Sequence, residues 1–206
     1  MYPLSKAIFD NTVFNYIVRI KSTDLSNVIQ SLVQEVLVPQ TIVGEMEDWG
    51  ENPVYAAQIG YLTSQIRRNQ FYKFCTTYNP IILKEAQKHL DKGEADAVAQ
   101  SDRTNVLLFI SDDTKCYAHI KATYPNIRLH STYFLIAIAY FQTLLPNAEA
   151  VLKEFHQIMQ VSKMRSDTQR TYKAMLRREA TEALKLLGFT YDKKRISFFT
   201  SLKNRI

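Results

Sequence analysis

A continuously apolar segment, STYFLIAIAYFQTLL at residues 131–145, most restricts what this chain can fold into. A helix that is apolar on every side lies at the centre of a large core or spans a membrane. The apolar part is shorter than the roughly 18–20 residues that a bilayer requires, and the uncharged window around it contains His130, Gln142, Pro146 and Asn147. The segment therefore predicts a buried core helix and no membrane span.

Composition also favours helices. The 206 residues are 46% hydrophobic and 22% charged, which is typical of a globular protein, yet they include only 5 Gly and 6 Pro. Sandwiches and barrels need many tight turns, so a chain this poor in turn residues is more readily built from helices.

Apolar residues spaced three and four apart predict further helices. One such stripe runs from Leu25 to Leu37, after a cap at Ser22 or Thr23, and should stop before Pro39. Other helix starts are predicted at Asn52-Pro53, Asn79-Pro80, Asn147 and Ser166 or Asp167, and other ends at Gly93, Pro146 and Gly188.

Three segments interrupt this helical pattern. TIVGEMEDWGENP (41–53) reads as an acidic loop, GEADAVAQSDRTN (93–105) as a polar joint, and NVLLFIS (105–111) as the best strand candidate, although a short buried helix also fits. We therefore predict a mainly α protein: a single-domain helical bundle, residues 1–206, of about six or seven helices with little or no strand. A basic C-terminal segment, 151–206, should pack on it.

The cysteines and the N-terminus indicate the compartment. Cys75 and Cys116 are too few for a disulfide framework or a four-cysteine zinc site, and two buried reduced thiols are typical of a cytosolic protein. The first twenty residues lack the charged start, apolar run and cleavage site of a secretory signal. A cytoplasmic location is expected.

Motifs for chemistry are absent from the sequence. It contains no Gly-x-Ser-x-Gly elbow, no Walker-type loop and no Gly-x-Gly-x-x-Gly fingerprint. Glu85 and His89, four residues apart, could join His119 or His156 in a metal-dependent helical-bundle enzyme, but no Glu-x-x-His motif supports that alternative. We therefore predict no catalytic residue, no metal site, no cofactor and no enzymatic activity.

Basic charge is concentrated at one end of the chain. Residues 151–206 contain 13 Lys and Arg against 5 Asp and Glu, a net charge of +8, whereas residues 1–150 carry −2. Clustered cations suit phosphate contacts, so nucleic-acid binding is one alternative function. Its candidate contacts are Arg170, Lys173, Arg177, Arg178, Lys193, Lys194 and Arg195.

Beyond Gly188 the sequence fits either a hairpin or a last helix that begins near Asp192, with the helix favoured.

The leading hypothesis is a non-enzymatic helical adaptor or assembly subunit that binds another protein or itself. It rests on the missing chemical motifs and on the abundant Tyr and Phe, because aromatic residues often anchor interfaces. Trp49 in its acidic segment, and Phe71 and Tyr72 among the cations of QIRRNQFYKF (65–74), are the candidate protein-binding residues.

Overall fold

A five-stranded parallel sheet organises the chain. The structure is a computed structural model that describes residues 3–49, 51–68, 70–189 and 196–197. The strand order is β3-β2-β1-β4-β5, and the strands are β1 (Leu4–Phe9), β2 (Val33–Pro39), β3 (Tyr72–Cys75), β4 (Leu108–Ile110) and β5 (Arg128–His130). The protein is therefore α/β, and the prediction of a mainly α bundle with little or no strand is wrong.

Helices separate the strands and follow the last one. Within the described ranges they are α1 (Asn11–Arg19), α2 (Leu25–Leu32), α3 (Gln40–Trp49), α4 (Ala56–Arg67), α5 (Pro80–Ala86), α6 (Lys92–Thr104), α7 (Lys115–Thr123), α8 (Thr132–Phe141), α9 (Ala148–Ile158) and α10 (Ser166–Leu186), with a single 3₁₀ turn at Val161–Lys163. Strands that alternate with helices and pair in parallel are the signature of an α/β fold.

The described residues form two compact units. The sheet unit comprises the residues up to Val18 together with Val33–His130, and the helical unit comprises Arg19–Leu32 and the residues from Ser131 onward. The expected single domain with a packed C-terminal segment stays a prediction.

Strand β2 is where the helical interpretation fails. The stripe that begins at Leu25 forms helix only as far as Leu32, and the chain continues as strand from Val33. β2 pairs with β1 on one side, through Ile8 and Leu37, and with β3 on the other. An inner strand of a covered parallel sheet is apolar on both faces, so its sequence does not alternate and resembles a buried helix.

Two polar segments are helices rather than connections. The 41–53 segment, predicted as an acidic loop, contributes most of α3, whose Ile42, Val43 and Met46 are buried. The 93–105 segment, predicted as a polar joint, is almost all of α6. Asp91 and Glu94 form a reciprocal capping box at the start of α6, so Gly93 lies in the first turn of a helix where the sequence analysis expected one to end.

The helical unit is built around α8. Every residue from Thr132 to Ala139 is buried, and α8 packs against α2 and α10 within this unit. α10 ends at a turn in which Gly188 has φ +71°, a left-handed conformation that favours glycine. No helix in the described parts of the chain is long and apolar enough to cross a membrane.

Candidate active site

The order of the strands locates the candidate site. From β1 the chain moves to β2 and β3 on one side, and it then crosses to β4 and β5 on the other. Open parallel sheets bind ligands outside the carboxyl ends of their strands, at the point where this order reverses. Here that point lies between β1 and β4, and the residues that directly follow these strands are Asp10 and Ser111.

Asp10 is held firmly at this point. Its side chain is buried, with 7% of the residue exposed, and its N–H donates to the Ile110 carbonyl at 3.0 Å. Its Oδ2 accepts hydrogen bonds from Thr12 Oγ1 at 2.8 Å and from Ser111 Oγ at 2.9 Å. Burial is the largest influence on this carboxyl and raises its pKa, although both hydroxyl donors oppose the shift. A buried carboxylate with fixed orientation is therefore presented at the sheet edge.

The turn after β4 is tied to the turn after β1 by hydroxyl groups. The backbone N–H of Asp112 donates to Thr12 Oγ1 at 3.0 Å, and that of Asp113 donates to Ser111 Oγ at 3.2 Å. The Tyr117 hydroxyl donates to the Ser111 carbonyl at 2.6 Å. These bonds fix the position of Asp113 relative to Asp10.

Helix α3, which follows β2, brings a second carboxylate. Burial raises the pKa of the half-buried Glu45, and the negative charges of Asp10 and Asp91 raise it further, while a hydrogen bond from the Asn11 side chain opposes the change. Because Gly93 has no side chain, there is room for Glu45 beside the start of α6. A Cβ at Gly93 would lie 2.6 Å from Ile42 Cδ1 and 3.1 Å from Glu45 Oε1.

The start of α6 brings a third carboxylate. Glu94 is buried, its N–H donates to Asp91 Oδ1 at 2.9 Å, and its own carboxylate accepts from the Asp91 N–H at 3.3 Å. Burial raises the pKa of Glu94, and the charges of Asp91 and Asp113 add to the effect. The Cys116 thiol donates to the Asp113 carbonyl at 3.1 Å and makes a hydrogen bond with Glu94.

Mutual repulsion among these carboxylates is what a cation would relieve. The set consists of Asp10, Glu45, Asp91, Glu94 and Asp113. The charge of Asp91 raises the pKa of Asp10, Glu45 and Glu94, the charge of Asp10 raises that of Glu45, and the charge of Asp113 raises that of Glu94. No three Asp, Glu, His or Cys side chains of the described ranges lie close enough together to hold one ion by themselves. Structural and catalytic zinc needs three or four protein ligands, whereas Mg²⁺ is held by one or two carboxylates plus water and substrate phosphates. The donor set therefore fits a hard cation such as Mg²⁺ or Mn²⁺.

The three aromatic residues predicted to bind a protein differ in burial and in the element to which they belong. Trp49, the last residue of α3, is half-buried with its ring centroid 5.2 Å from that of Tyr55. Tyr72 is only 2% exposed and contacts the half-buried Phe71 edge-to-face, with centroids 4.7 Å apart. Trp49 shares its helix with Glu45, whereas Tyr72 is a core residue of β3. A protein-binding role for these three residues stays a prediction.

The basic candidates belong to α10 of the helical unit. Arg170, Lys173 and Arg177 are exposed, whereas Arg178 is half-buried and pairs with the fully buried Glu179. Lys193, Lys194 and Arg195 lie outside the described residues, as does most of the segment for which a hairpin or a last helix was weighed.

The structure brings together only two of the four residues considered for a metal-dependent enzyme, Glu85, His89, His119 and His156. The rings of His89 and His119 approach to 4.7 Å in the sheet unit, but Glu85 is paired with Lys88. His156 is a buried residue of the helical unit. This group is not part of the carboxylate set at the sheet edge.

Sequence reasoning missed all five carboxylates. A signal was present at two of them, because Asp10 directly follows the apolar run of β1, and Asp112 and Asp113 come soon after that of β4. Acids at the ends of two strands become informative only when both runs are recognised as neighbouring parallel strands.

A family model described as a PIN domain (DUF3368) matches residues 6–180 of this chain. No curated protein and no solved structure matches it. PIN domains are usually metal-dependent nucleases, so the predictions of a non-enzymatic helical adaptor and of no enzymatic activity are wrong. Nucleic-acid binding, the alternative drawn from the basic C-terminal segment, agrees better with this family.

Proposed function

This chain belongs to the PIN domain family, and we propose that it is a metal-dependent nuclease that cleaves phosphodiester bonds in RNA or DNA. One observation carries the proposal. Carboxylates from four separate parts of the chain converge where the strand order reverses, and burial together with the charge of Asp91 raises the pKa values of Asp10, Glu45 and Glu94. Such clusters of perturbed carboxylates are typical of functional sites.

Asp10 and Glu45 are the residues that would hold a divalent cation, with water and substrate phosphates as its other ligands and with Glu94, Asp91 and Asp113 nearby. When bound, such an ion activates a water molecule and neutralises charge on the phosphate. The protein supplies the position of the carboxylates: Thr12 and Ser111 orient Asp10, Asn11 donates to Glu45, and the capping box fixes Glu94. Orientation of this kind is essential, because small displacements of catalytic groups are costly.

A nucleic-acid substrate agrees with the charge of the chain. The candidate site is acidic, so affinity for a polyanion has to come from elsewhere. The exposed cations Arg170, Lys173 and Arg177 of α10 are suited to contact phosphates. This role also fits the cytoplasmic location expected from the sequence.

Cleavage of labelled single-stranded RNA and DNA tests the proposal. Wild type should cleave with Mg²⁺ or Mn²⁺ and stop when EDTA is added. Asp10→Asn and Glu45→Gln should each lower the rate by at least a hundredfold, because each removes a charge that holds the ion. Glu85→Gln is the matched control: it removes an exposed carboxylate outside the set and should leave the rate unchanged. Cleavage that survives both EDTA and Asp10→Asn would exclude this site.

Salt dependence tests the α10 contacts separately. The triple variant Arg170→Ala, Lys173→Ala and Arg177→Ala should bind nucleic acid more weakly, with a shallower slope of log affinity against log salt, since each duplex phosphate contact contributes about −0.9 to that slope. The control is a second triple variant, Lys84→Ala, Arg103→Ala and Arg128→Ala, which removes three exposed cations and so lowers the net charge by the same amount. Equal losses in the two triple variants would mean that only net charge matters.

A further inference from the structure

A cavity of about 240 Å³ lies at the end of the sheet opposite the candidate active site. It is formed mainly by the last turns of α6 and α7 and by the connections that lead from these helices to β4 and β5. All of the residues that line it belong to the sheet unit. Sites for drug-sized molecules usually have at least roughly 300 Å³, so this cavity suits a smaller molecule or one long side chain.

Two helices direct their carboxyl ends at the cavity. α6 ends at Thr104 and is capped by Asn105 in a left-handed conformation (φ +54°), and α7 ends at Thr123. Asn105 and Thr123 both line the cavity. The last carbonyl groups of a helix have no partner within it, and a carboxyl end carries a partial negative charge of roughly half an elementary charge. Both helix ends therefore favour a positive charge in the cavity.

Asp102, another lining residue, adds a full negative charge. It is exposed in the last turn of α6, where the helix dipole favours a cation over an acid. Its Oδ2 accepts a hydrogen bond from Asn79 Nδ2 at 2.7 Å. Its Oδ1 accepts no hydrogen bond, and the carboxylate forms no ion pair, with any residue that the structure describes. A bound cation would relieve the repulsion between Asp102 and the end of its own helix.

The other lining residues offer hydrogen-bond acceptors and an apolar wall. The side chains of Asn105, Tyr124 and Asn126 each have an oxygen that can accept a hydrogen bond, and none of them is hydrogen-bonded to another described residue. The apolar wall includes Leu107, which is 38% exposed, and the buried Ile127. Acceptors beside an apolar wall suit a polar head on an aliphatic stem.

The basic side chains close to this cavity in the sequence do not fill it. Among the described residues that line it, none is Lys, Arg or His. Arg103 and Arg128 follow lining residues in the chain, but both are exposed and neither lines the cavity. An anion would meet Asp102 and two helix carboxyl ends at close range, which is electrostatically unfavourable. Charge complementarity therefore selects a cation as the ligand.

We propose that this cavity binds a guanidinium or ammonium group on an aliphatic stem, with Asp102 as its counter-ion. Such groups have several N–H donors and no acceptor, and they match the oxygens of Asn105, Tyr124 and Asn126. Free polyamines and the Arg or Lys side chains of another protein share this chemistry. The proposal does not depend on the proposed nuclease function, since the cavity and the carboxylate set lie at opposite ends of the strands.

A nuclear magnetic resonance titration of the full chain tests the proposal. The probes are agmatine, N-acetyl-arginine amide and the neutral N-acetyl-citrulline amide, each added with saturating Mg²⁺ so that the other carboxylates compete less for the probe. Ligands of this size should bind with roughly millimolar Kd. We expect both guanidinium probes to shift the backbone signals of Asn105, Leu107 and Asn126, and the citrulline amide to bind roughly fivefold or more weakly. Equal binding of the arginine and citrulline amides, or shifts confined to the surroundings of Asp10 and Glu45, would overturn the proposal.

Three variants test whether binding depends on Asp102. Asp102→Asn keeps the size of the side chain and can still accept from Asn79, and it should weaken the affinity for the arginine amide roughly three- to tenfold. Asn126→Asp adds a second carboxylate to the lining and should strengthen that affinity by a similar factor. Glu149→Gln, at an exposed acid of α9 in the helical unit, is the matched control and should leave the Kd unchanged. Equal losses from Asp102→Asn and Glu149→Gln would mean that only net charge matters and would overturn the proposal.

Comparison of the two guanidinium probes identifies the source of the cation. Tighter binding of agmatine, which carries a free amine at its other end, would support a free polyamine as the ligand. Tighter binding of N-acetyl-arginine amide, whose other end carries two peptide groups, would support a basic side chain of another protein. These titrations do not measure cleavage, so failure of the nuclease assays would leave this proposal intact.

Discussion

Ser111 Oγ donates a 2.9 Å hydrogen bond to Asp10 Oδ2 although the two residues are 101 positions apart in the chain. Ser111 is fully buried, and its Oγ also accepts from the Asp113 N–H. One hydroxyl therefore joins the turns after β1 and β4 and orients the carboxylate at the centre of the proposed site.

Ser111→Ala should both destabilise the protein and slow cleavage. The change removes a donor from a buried carboxylate and an acceptor from a backbone N–H, and a buried polar group left without a partner costs about 1–3 kcal/mol. Chemical denaturation measures the free energy of unfolding. Ser31→Ala is the control, since Ser31 is exposed and donates only to the Asn27 carbonyl of its own helix. A Ser111→Ala variant as stable and active as wild type would contradict the importance of this bond.

Gly93→Ala should impair cleavage through a purely steric effect. The added Cβ would lie 2.6 Å from the buried Ile42 Cδ1 and 3.1 Å from Glu45 Oε1, so the side chains of α3 must shift and move the Glu45 carboxylate. We expect a loss of about 1–3 kcal/mol in stability, as overpacking usually gives, and a lower cleavage rate. Gly60→Ala on α4 meets nothing within 4 Å and should instead stabilise that helix by up to about 1 kcal/mol.

Cleavage should increase as the pH rises above the ordinary range for carboxyl groups. The pKa values of Asp10, Glu45 and Glu94 are raised mainly by burial, and these groups attract a cation only when they are deprotonated. A rate that is already maximal near the ordinary pKa of an exposed carboxyl would contradict this. The measurement is a rate profile over pH at saturating Mg²⁺.

The same shifts make the metal-free protein less stable as the pH rises. The native state holds these protons more tightly than the unfolded state does, so the free energy of unfolding falls between the ordinary and the raised pKa values. Asp10→Asn removes one buried charge and should stabilise the metal-free protein near neutral pH by roughly 0.5–2 kcal/mol. The free energies of unfolding of wild type and Asp10→Asn should become equal at acid pH, where Asp10 is protonated. Denaturation curves at both pH values, without metal, check this expectation.

Both cysteines should resist alkylation in the native protein. Cys75 and Cys116 are buried, and burial raises the pKa of each thiol, while the carboxylates of Glu94, Asp113 and Asp10 raise that of Cys116 further. The thiolate is the reactive form, so reaction is slow. Glu94→Gln should accelerate alkylation of Cys116 severalfold and leave Cys75 unchanged as an internal control, measured by peptide mass spectrometry. Equal acceleration of both would indicate unfolding instead.

Some local features of the fold were predicted correctly from the sequence. Asn79 caps α5 as predicted, with its Oδ1 accepting from the backbone N–H of Ile81 at 3.0 Å and of Ile82 at 3.4 Å. The strand predicted near residues 105–111 is β4, and the helix predicted to end at Gly188 is α10. A cap acts within a few residues, so Asn79 could be identified without the rest of the fold. The same kind of signal was wrong at Asn52-Pro53, since α4 begins only at Ala56, and at Gly93, which lies inside α6.

The sheet and the site depend on contacts that the sequence does not display. Residues 36–39 of β2 are buried on both faces, and the spacing of Val33, Val36 and Leu37 therefore also satisfied a helix. Asp10 and Asp113 become neighbours only after β1 and β4 pair. Without that pairing, the sequence showed scattered acids and no catalytic motif.

The placement of β1 at the middle of the sheet has a consequence for biosynthesis. A ribosome releases the chain from its N-terminus, so Asp10, Glu45 and Glu94 emerge before β4 exists. Until residues 108–113 have left the ribosome, Asp10 lacks both its neighbouring strand and the hydroxyl of Ser111. An unfinished chain thus carries most of the acidic groups without the means to align them. The proposed site is therefore completed only after β4 and Ser111 have been synthesised.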